Sequence, residues 1–175
     1  MASVFKAYDI RGIYGDTLTD ELAVKIGRAF VTLLKCRKVV VGRDMRPHSD
    51  PLFKSLAQGL TMQGADVVDL GLCSTCMSNF ANGRLKADAS IMITASHNPG
   101  EWNGFKLSRA SAVPISGSTG IQDLERICQE GRFAAPAKKA GQMSSHAILA
   151  DYVAHVKKIA NLQRPVRVAA DMANA

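Results

Sequence analysis

Apolar positions along the chain switch repeatedly between a helical and a strand period. In TDELAVKIGRAFVTLLK, Leu22, Ile26, Ala29, Phe30 and Leu33 form one helical stripe, with Thr19 as its N-cap and Asp20 and Glu21 in the first turn. KVVVGRD then reads as a short buried strand of β-branched residues. SDPLFKSLAQGLTMQG predicts the next helix, with Pro51 in its first turn and Gly64 at its stop. ADVVDLG is a second strand, and TCMSNFANGR a short helix with Thr75 as its cap. DASIMITAS is a third strand, NGFKLS a fourth, and TGIQDLERICQEG a helix ending at Gly131.

After Gly131 the pattern lapses. RFAAPAKKAGQMS has no period and reads as a connector. SHAILADYVAHVKKIANL is helical again, with Ile148, Tyr152, Val153, Val156 and Ile159 on or near one face. Pro165 then restarts the chain into VRVAADMANA, which reads as the opening strand of another α/β unit. A single strand cannot bury itself, so it offers an edge for self-association. The expected organisation is therefore residues 1–143 as one α/β domain with its connector, and residues 144–175 as a linking helix and the first strand of an incomplete second domain. Alternating helices and strands predict an α/β fold: a layered, largely parallel mixed sheet with helices on both faces. Ligands of such sheets gather beyond the carboxyl ends of the strands.

Composition narrows the partners. The net charge of +7 favours anions: nucleic acid, a membrane surface or a phosphorylated small molecule. The basic residues are scattered and not interleaved with aromatics, which argues against nucleic acid. No apolar run reaches the ~18 residues of a membrane span, and MASVFKAYDIRG lacks the apolar core of a secretory signal, so a cytoplasmic location is expected. Cys73 and Cys76 make a C-x-x-C, but no second close pair completes a zinc set, and a structural role is favoured. The acidic residues are dispersed, with no D-x-D arrangement for a metal.

Three segments carry candidate chemistry. The strand ASIMIT runs into Ser96-His97-Asn98-Pro99, and Lys106 follows on the return. No G-x-S-x-G elbow is present. Neighbours in an extended segment point to opposite sides, which places His97 poorly as a base for Ser96. A turn after a strand exposes N–H groups that suit a phosphate better than an acyl group; equally, Ser96, Asn98 and Pro99 are ordinary turn residues. In FKAYDIRGIYG, Arg11 is either a phosphate clamp or the partner of Asp9 in a surface pair. In VGRDMRPHS, Gly42, Arg43, Asp44 and Arg46 lie where strand meets helix, as an anion site or as an Arg43–Asp44 brace. His48, His146 and His155 read as structural or solvated.

Taken in order, KAYDIRG, GRDMRPHS and TASHNPGEWNGFKLS resemble the N-terminal part of the α-D-phosphohexomutases, the phosphomannomutases and phosphoglucomutases. VRVAADMANA resembles the strand opening that family's second domain, so the resemblance covers essentially the whole chain. It implies interconversion of hexose 1-phosphates and 6-phosphates through a phosphoserine at Ser96 and a bisphosphorylated sugar. A sugar bisphosphate would act as activator, and Mg²⁺ would be bound partly by the phosphoserine. Arg11, Lys106 and His97 would belong to the catalytic centre, with Tyr8 and Asn98 toward the substrate. The KAYDIRG opening looks more like the phosphomannomutase/phosphoglucomutase branch than the phosphoglucosamine mutase branch. The family's metal, sugar and phosphate loops, of D-G-D-G-D-R, G-E-x-S-G-H and R-x-S-G-T-E type, have no match; GQMSSH echoes the second only by coincidence. The chain by itself is therefore expected to be inactive as a mutase. The competing expectation is a non-catalytic phosphate- or nucleic-acid-binding module.

Overall fold

A computed structural model describes residues 3–160 and 163–171. Its frame is one six-stranded sheet. β1 (Ile10–Ile13), β2 (Lys38–Arg43), β3 (Asp66–Leu72), β4 (Ala89–Ile93), β5 (Trp102–Arg109) and β6 (Met143–Ser145) lie in the order β1-β5-β4-β2-β3-β6. The β4-β2, β2-β3 and β3-β6 pairs are parallel, whereas β5 runs antiparallel to both β4 and β1. The expected fold class holds, with NGFKLS as the reversed strand inside the sheet.

Helices cover both faces because the buried strands are apolar on both. Val39 and Val41 of β2 join Ile91 and Ile93 of β4 in the larger core, under α1 (Asp20–Leu34), α2 (Ser49–Met62) and α4 (Ile121–Glu130). Val40, Val68 and Met92 point the other way, toward α3 (Thr75–Arg84) and Ile148 at the start of α5 (Leu149–Ile159). The alternation follows from the two-residue side-chain period of a strand. α1 and α2 approach closely at two glycines. A Cβ on Gly27 would lie 2.5 Å from the Leu56 carbonyl oxygen, and one on Gly59 would strike the Val24 carbonyl.

Helix boundaries follow local chemistry. The Thr19 side chain accepts from the Leu22 N–H, and Gly131 ends α4 in the left-handed region at φ 66°. At α3 the cap is Ser74, not Thr75; the Ser74 hydroxyl accepts from the Met77 N–H.

The C-terminal third departs further from expectation. The apparent connector ends in β6, whose three residues pair in parallel with Val67–Asp69. A division at 143/144 thus falls inside a strand. Three residues with little apolar alternation leave no readable strand signal. The apolar face of α5 is largely open, with Val153, Val156 and Ile159 40–70% exposed; Ile148, one residue before the helix, is the buried anchor. Residues 163–171 are exposed and pair with no strand among the described residues. Met172–Ala175, the rest of the expected strand, lie outside the described residues.

Candidate active site

β4 is wholly buried, and the chain leaves it through Thr94 and Ala95 to expose Ser96, His97 and Pro99. Ser96 adopts φ 58°, the left-handed region. An L-residue there costs ~1–2 kcal/mol, and such positions persist where surrounding structure over-determines them. The determinants are visible. The Ser96 N–H donates to Thr94 Oγ1 at 2.9 Å, and the Asn98 N–H donates to the Ala95 carbonyl at 3.1 Å.

This backbone turn corrects the expectation about His97. Because Ser96 is not extended, the two side chains do not diverge; Ser96 Oγ and His97 Nδ1 stand 3.4 Å apart. The imidazole and hydroxyl share one exposed surface at the carboxyl edge of the sheet.

The reversed strand β5 brings the cations. Its first half lies beside the carboxyl end of β4, with Lys106 in register with Met92. β1 pairs with the same half, Arg11 opposite Gly104. That pairing is tight, and a Cβ on Gly104 would collide with the Ile10 carbonyl oxygen. Arg11 then reaches the serine loop: Nη1 donates to the Ala95 carbonyl at 3.0 Å and to Asn98 Oδ1 at 2.8 Å. Its Nε donates to Asp9 Oδ2 at 2.8 Å, and Lys106 Nζ is 3.7 Å from the same oxygen. Asp9 is buried, so the Asp9–Arg11 pair is no loose surface contact; it sets two cations beside the loop. Among the described residues the Arg11 side chain donates through Nε and Nη1, and Nη2 has no protein acceptor. Asn98 holds Arg11 through its side-chain oxygen, and Tyr8 is 80% exposed on the preceding loop.

In the GRDMRPHS segment the expected Arg43–Asp44 brace does not form. Arg43 pairs with Asp50 and Asp69 and lies 4.6 Å over the Phe53 ring, bracing β2 against β3 and α2. It does not pair with Asp44. Asp44 instead pairs with Arg46, and Arg46 holds the serine loop through its main chain. Sequence reading named Arg46 only as one of a cluster and missed Thr94; neither the period nor the spacing of those residues marks them.

The cysteines are free, and burial pushes the Cys73 thiol up to about 11 and Cys36 and Cys128 up to about 12. Cys73 also packs against Gly42, where a Cβ would meet its Sγ. Among the described residues no three His, Cys, Asp or Glu side chains group as a metal site, and no helix is long and apolar enough to cross a membrane.

Comparison with known proteins agrees with this geometry. Residues 2–135 match the family model described as phosphoglucomutase/phosphomannomutase, alpha/beta/alpha domain I. The chain is 43% identical to a phosphomannomutase of Escherichia coli over 97% of its own length and 38% of that protein's. It is 46% identical to a phosphomannomutase of Klebsiella pneumoniae, over 85% of this chain and 96% of that one. Among solved structures, a phosphoglucomutase/phosphomannomutase family protein from Burkholderia thailandensis superposes with a TM-score of 0.85 at 36% identity, covering 95% of this chain and 38% of the other. The chain thus spans little more than a third of the Escherichia coli relative and nearly all of the Klebsiella one. The exposed left-handed serine, its two flanking cations and these matches lead to one assignment: the chain belongs to the phosphoglucomutase/phosphomannomutase family, within its α/β/α domain I.

Proposed function

We propose that this chain is the phosphoserine module of a phosphohexomutase that interconverts hexose 1-phosphates and 6-phosphates. The observation that carries the reading is Ser96: exposed, held at φ 58°, on a loop bonded by Arg11, with Lys106 paired to the same Asp9 carboxylate as Arg11. Phosphoryl transfer needs positioning and charge neutralisation more than a strong base. In the first step the bond between phosphorus and Ser96 Oγ breaks as a sugar hydroxyl oxygen bonds to phosphorus. The hydroxyl proton passes to a neighbouring base, and Ser96 regains its own proton. The second step runs the same exchange in reverse from the other phosphate of the bisphosphorylated sugar. Arg11 Nη2 and the Lys106 ammonium stabilise the charge on the transferring group. His97, 3.4 Å from Oγ, serves proton movement at that oxygen. Tyr8 and Asn98 lie toward the sugar, and a sugar bisphosphate primes the serine.

Mg²⁺ fits this chain only in part. The phosphate on Ser96 would supply one ligand. The nearby carboxylates are already committed, Asp9 to Arg11 and Lys106 and Asp44 to Arg46 and Ser49. These residues do not make a Mg²⁺ site, which ordinarily takes six oxygens, and no step here runs through the ion. The proposed setting is cytoplasmic, with a phosphorylated hexose as partner rather than nucleic acid or membrane, and self-association through residues 166–175 belongs to the same proposal.

Incubation with glucose 1,6-bisphosphate should leave phosphate on the Ser96 peptide, read by mass spectrometry, and Ser96→Ala should abolish it. The chain alone should not convert mannose 1-phosphate or glucose 1-phosphate. An unphosphorylated Ser96 peptide would refute the phosphoserine role; steep salt-dependent RNA or DNA binding in its place would favour a binding module.

A further inference from the structure

Arg46 uses every donor it has on one loop and its brace. Nη1 donates to the carbonyls of Pro99 at 2.6 Å and Trp102 at 2.9 Å. Nη2 donates to the carbonyls of Asn98 at 2.7 Å and Ser96 at 3.1 Å. Nε donates to Asp44 Oδ2 at 3.2 Å. A guanidinium has five N–H groups, so none is left over. The side chain is only 11% exposed.

The brace is itself fixed. Asp44 Oδ1 accepts from the Ser49 hydroxyl at 2.7 Å, and the Ser49 oxygen accepts from Asn103 Nδ2 at 3.0 Å. Asn103 is fully buried in β5. The start of α2, the loop after β2 and the strand carrying Lys106 are thereby tied to the loop carrying Ser96.

We propose that Arg46 is a positioning residue for Ser96, acting by gathering four main-chain carbonyls of the 96–102 segment around one half-buried cation. The inference rests on the phosphoserine reading of Ser96. Two physical effects follow. Four carbonyl oxygens converging without a cation would repel one another and open the loop. They would also set partial negative charge beside a phosphoryl group, and Arg46 cancels that field without touching substrate. Its counterpart Arg11 divides its fork, with Nη1 on the loop and Nη2 left over. Arg11 can therefore bind the transferring group, whereas Arg46 can act only through the loop. A lysine cannot replace Arg46, because one ammonium has three donors and no planar fork.

The test compares wild type, Arg46→Lys and Arg46→Gln in the full chain, with two readouts. Hydrogen exchange by mass spectrometry should show faster exchange in the peptides over 96–102 of Arg46→Lys, with the α1 and α2 peptides unchanged. Phosphate transfer from glucose 1,6-bisphosphate to Ser96 should fall about 100-fold at saturation, the scale of a ~1 Å misplacement, with the half-saturating concentration little changed. If Arg46→Gln unfolds globally, Arg46→Lys carries the comparison. Wild-type loop protection in Arg46→Lys, or an undiminished transfer rate, overturns the proposal, as does a loss confined to half-saturation. Failure of the wild-type chain to accept phosphate refutes the phosphoserine role, and with it the catalytic half of this inference. The exchange readout then reports on the Arg46 clamp separately.

Discussion

Single residues in this domain are tuned by burial more than by charge. Cys36, Cys73 and Cys128 sit at 6–8% exposure, and burial raises each thiol above its ordinary value, Cys73 to about 11 and the other two to about 12. A raised value means that the fold favours the neutral thiol. The contribution is fully present below the unfolded thiol range and is lost as pH rises through the folded values. From about pH 9 up to its folded value each such thiol should lower stability by at most about 1.4 kcal/mol per pH unit, because the unfolded chain has released a proton that the native one retains. Urea unfolding across that range should give a steep decline in wild type and a shallower one in Cys128→Val. Equal slopes would show that the thiols are not its source. The exposed Cys76 should alkylate in the native protein, while the other three react only on unfolding.

Elements were legible where their period was long and their ends chemically marked. The helix over Thr19–Lys35 was readable because its stripe, cap and acidic first turn agree, and each has its counterpart in the structure. β2 and β4 were readable as buried apolar runs. β6 was not, because one methionine and two serines owe their strand state to the exposed edge of β3 and not to their own pattern. The candidate site divides the same way. Ser96 was marked by its place at a strand end and Asp9–Arg11 by its spacing, while the reach of Arg46 to the Ser96 loop and of Lys106 to Asp9 spans 50 or more positions, which no local pattern encodes. Helix contact supplies a prediction of its own. Gly59→Ala places a methyl against the Val24 carbonyl, where backbone must move, and should destabilise the chain by about 1–3 kcal/mol in chemical denaturation. Gly83→Ala, at a position with open space around it, should be tolerated far better in the same measurement.

Across the whole molecule, stability is unevenly distributed. The core beneath α1, α2 and α4 holds most of the buried apolar side chains, including Phe30, Phe105, Leu56 and Ile91. α5 is attached by much less: Ile148, the Phe80 contacts with Tyr152 and His155, and Asp151 between Arg84 and His146. The Arg84–Asp151 ion pair is partly exposed and contributes little. Hydrogen exchange should therefore rank the helices, with α5 amides exchanging by local opening well before those of α1 and α2. Equal protection in all three would mean that the α3–α5 contact is stronger than its parts.

The placement of β1 at the sheet edge beside β5 has a consequence for the order of events during synthesis. The first strand to be made is hydrogen-bonded to a strand that begins at Trp102, and Arg11 meets its loop partner Asn98 across 87 positions. On a ribosome adding about 5–20 residues per second, that segment waits several seconds without its neighbour, while β2, α2 and β3 can already associate. Arg11, made early on β1, thus docks beside the Ser96 loop only once β5 exists, and a nascent chain halted before β5 presents Ser96 without Lys106 and without a docked Arg11.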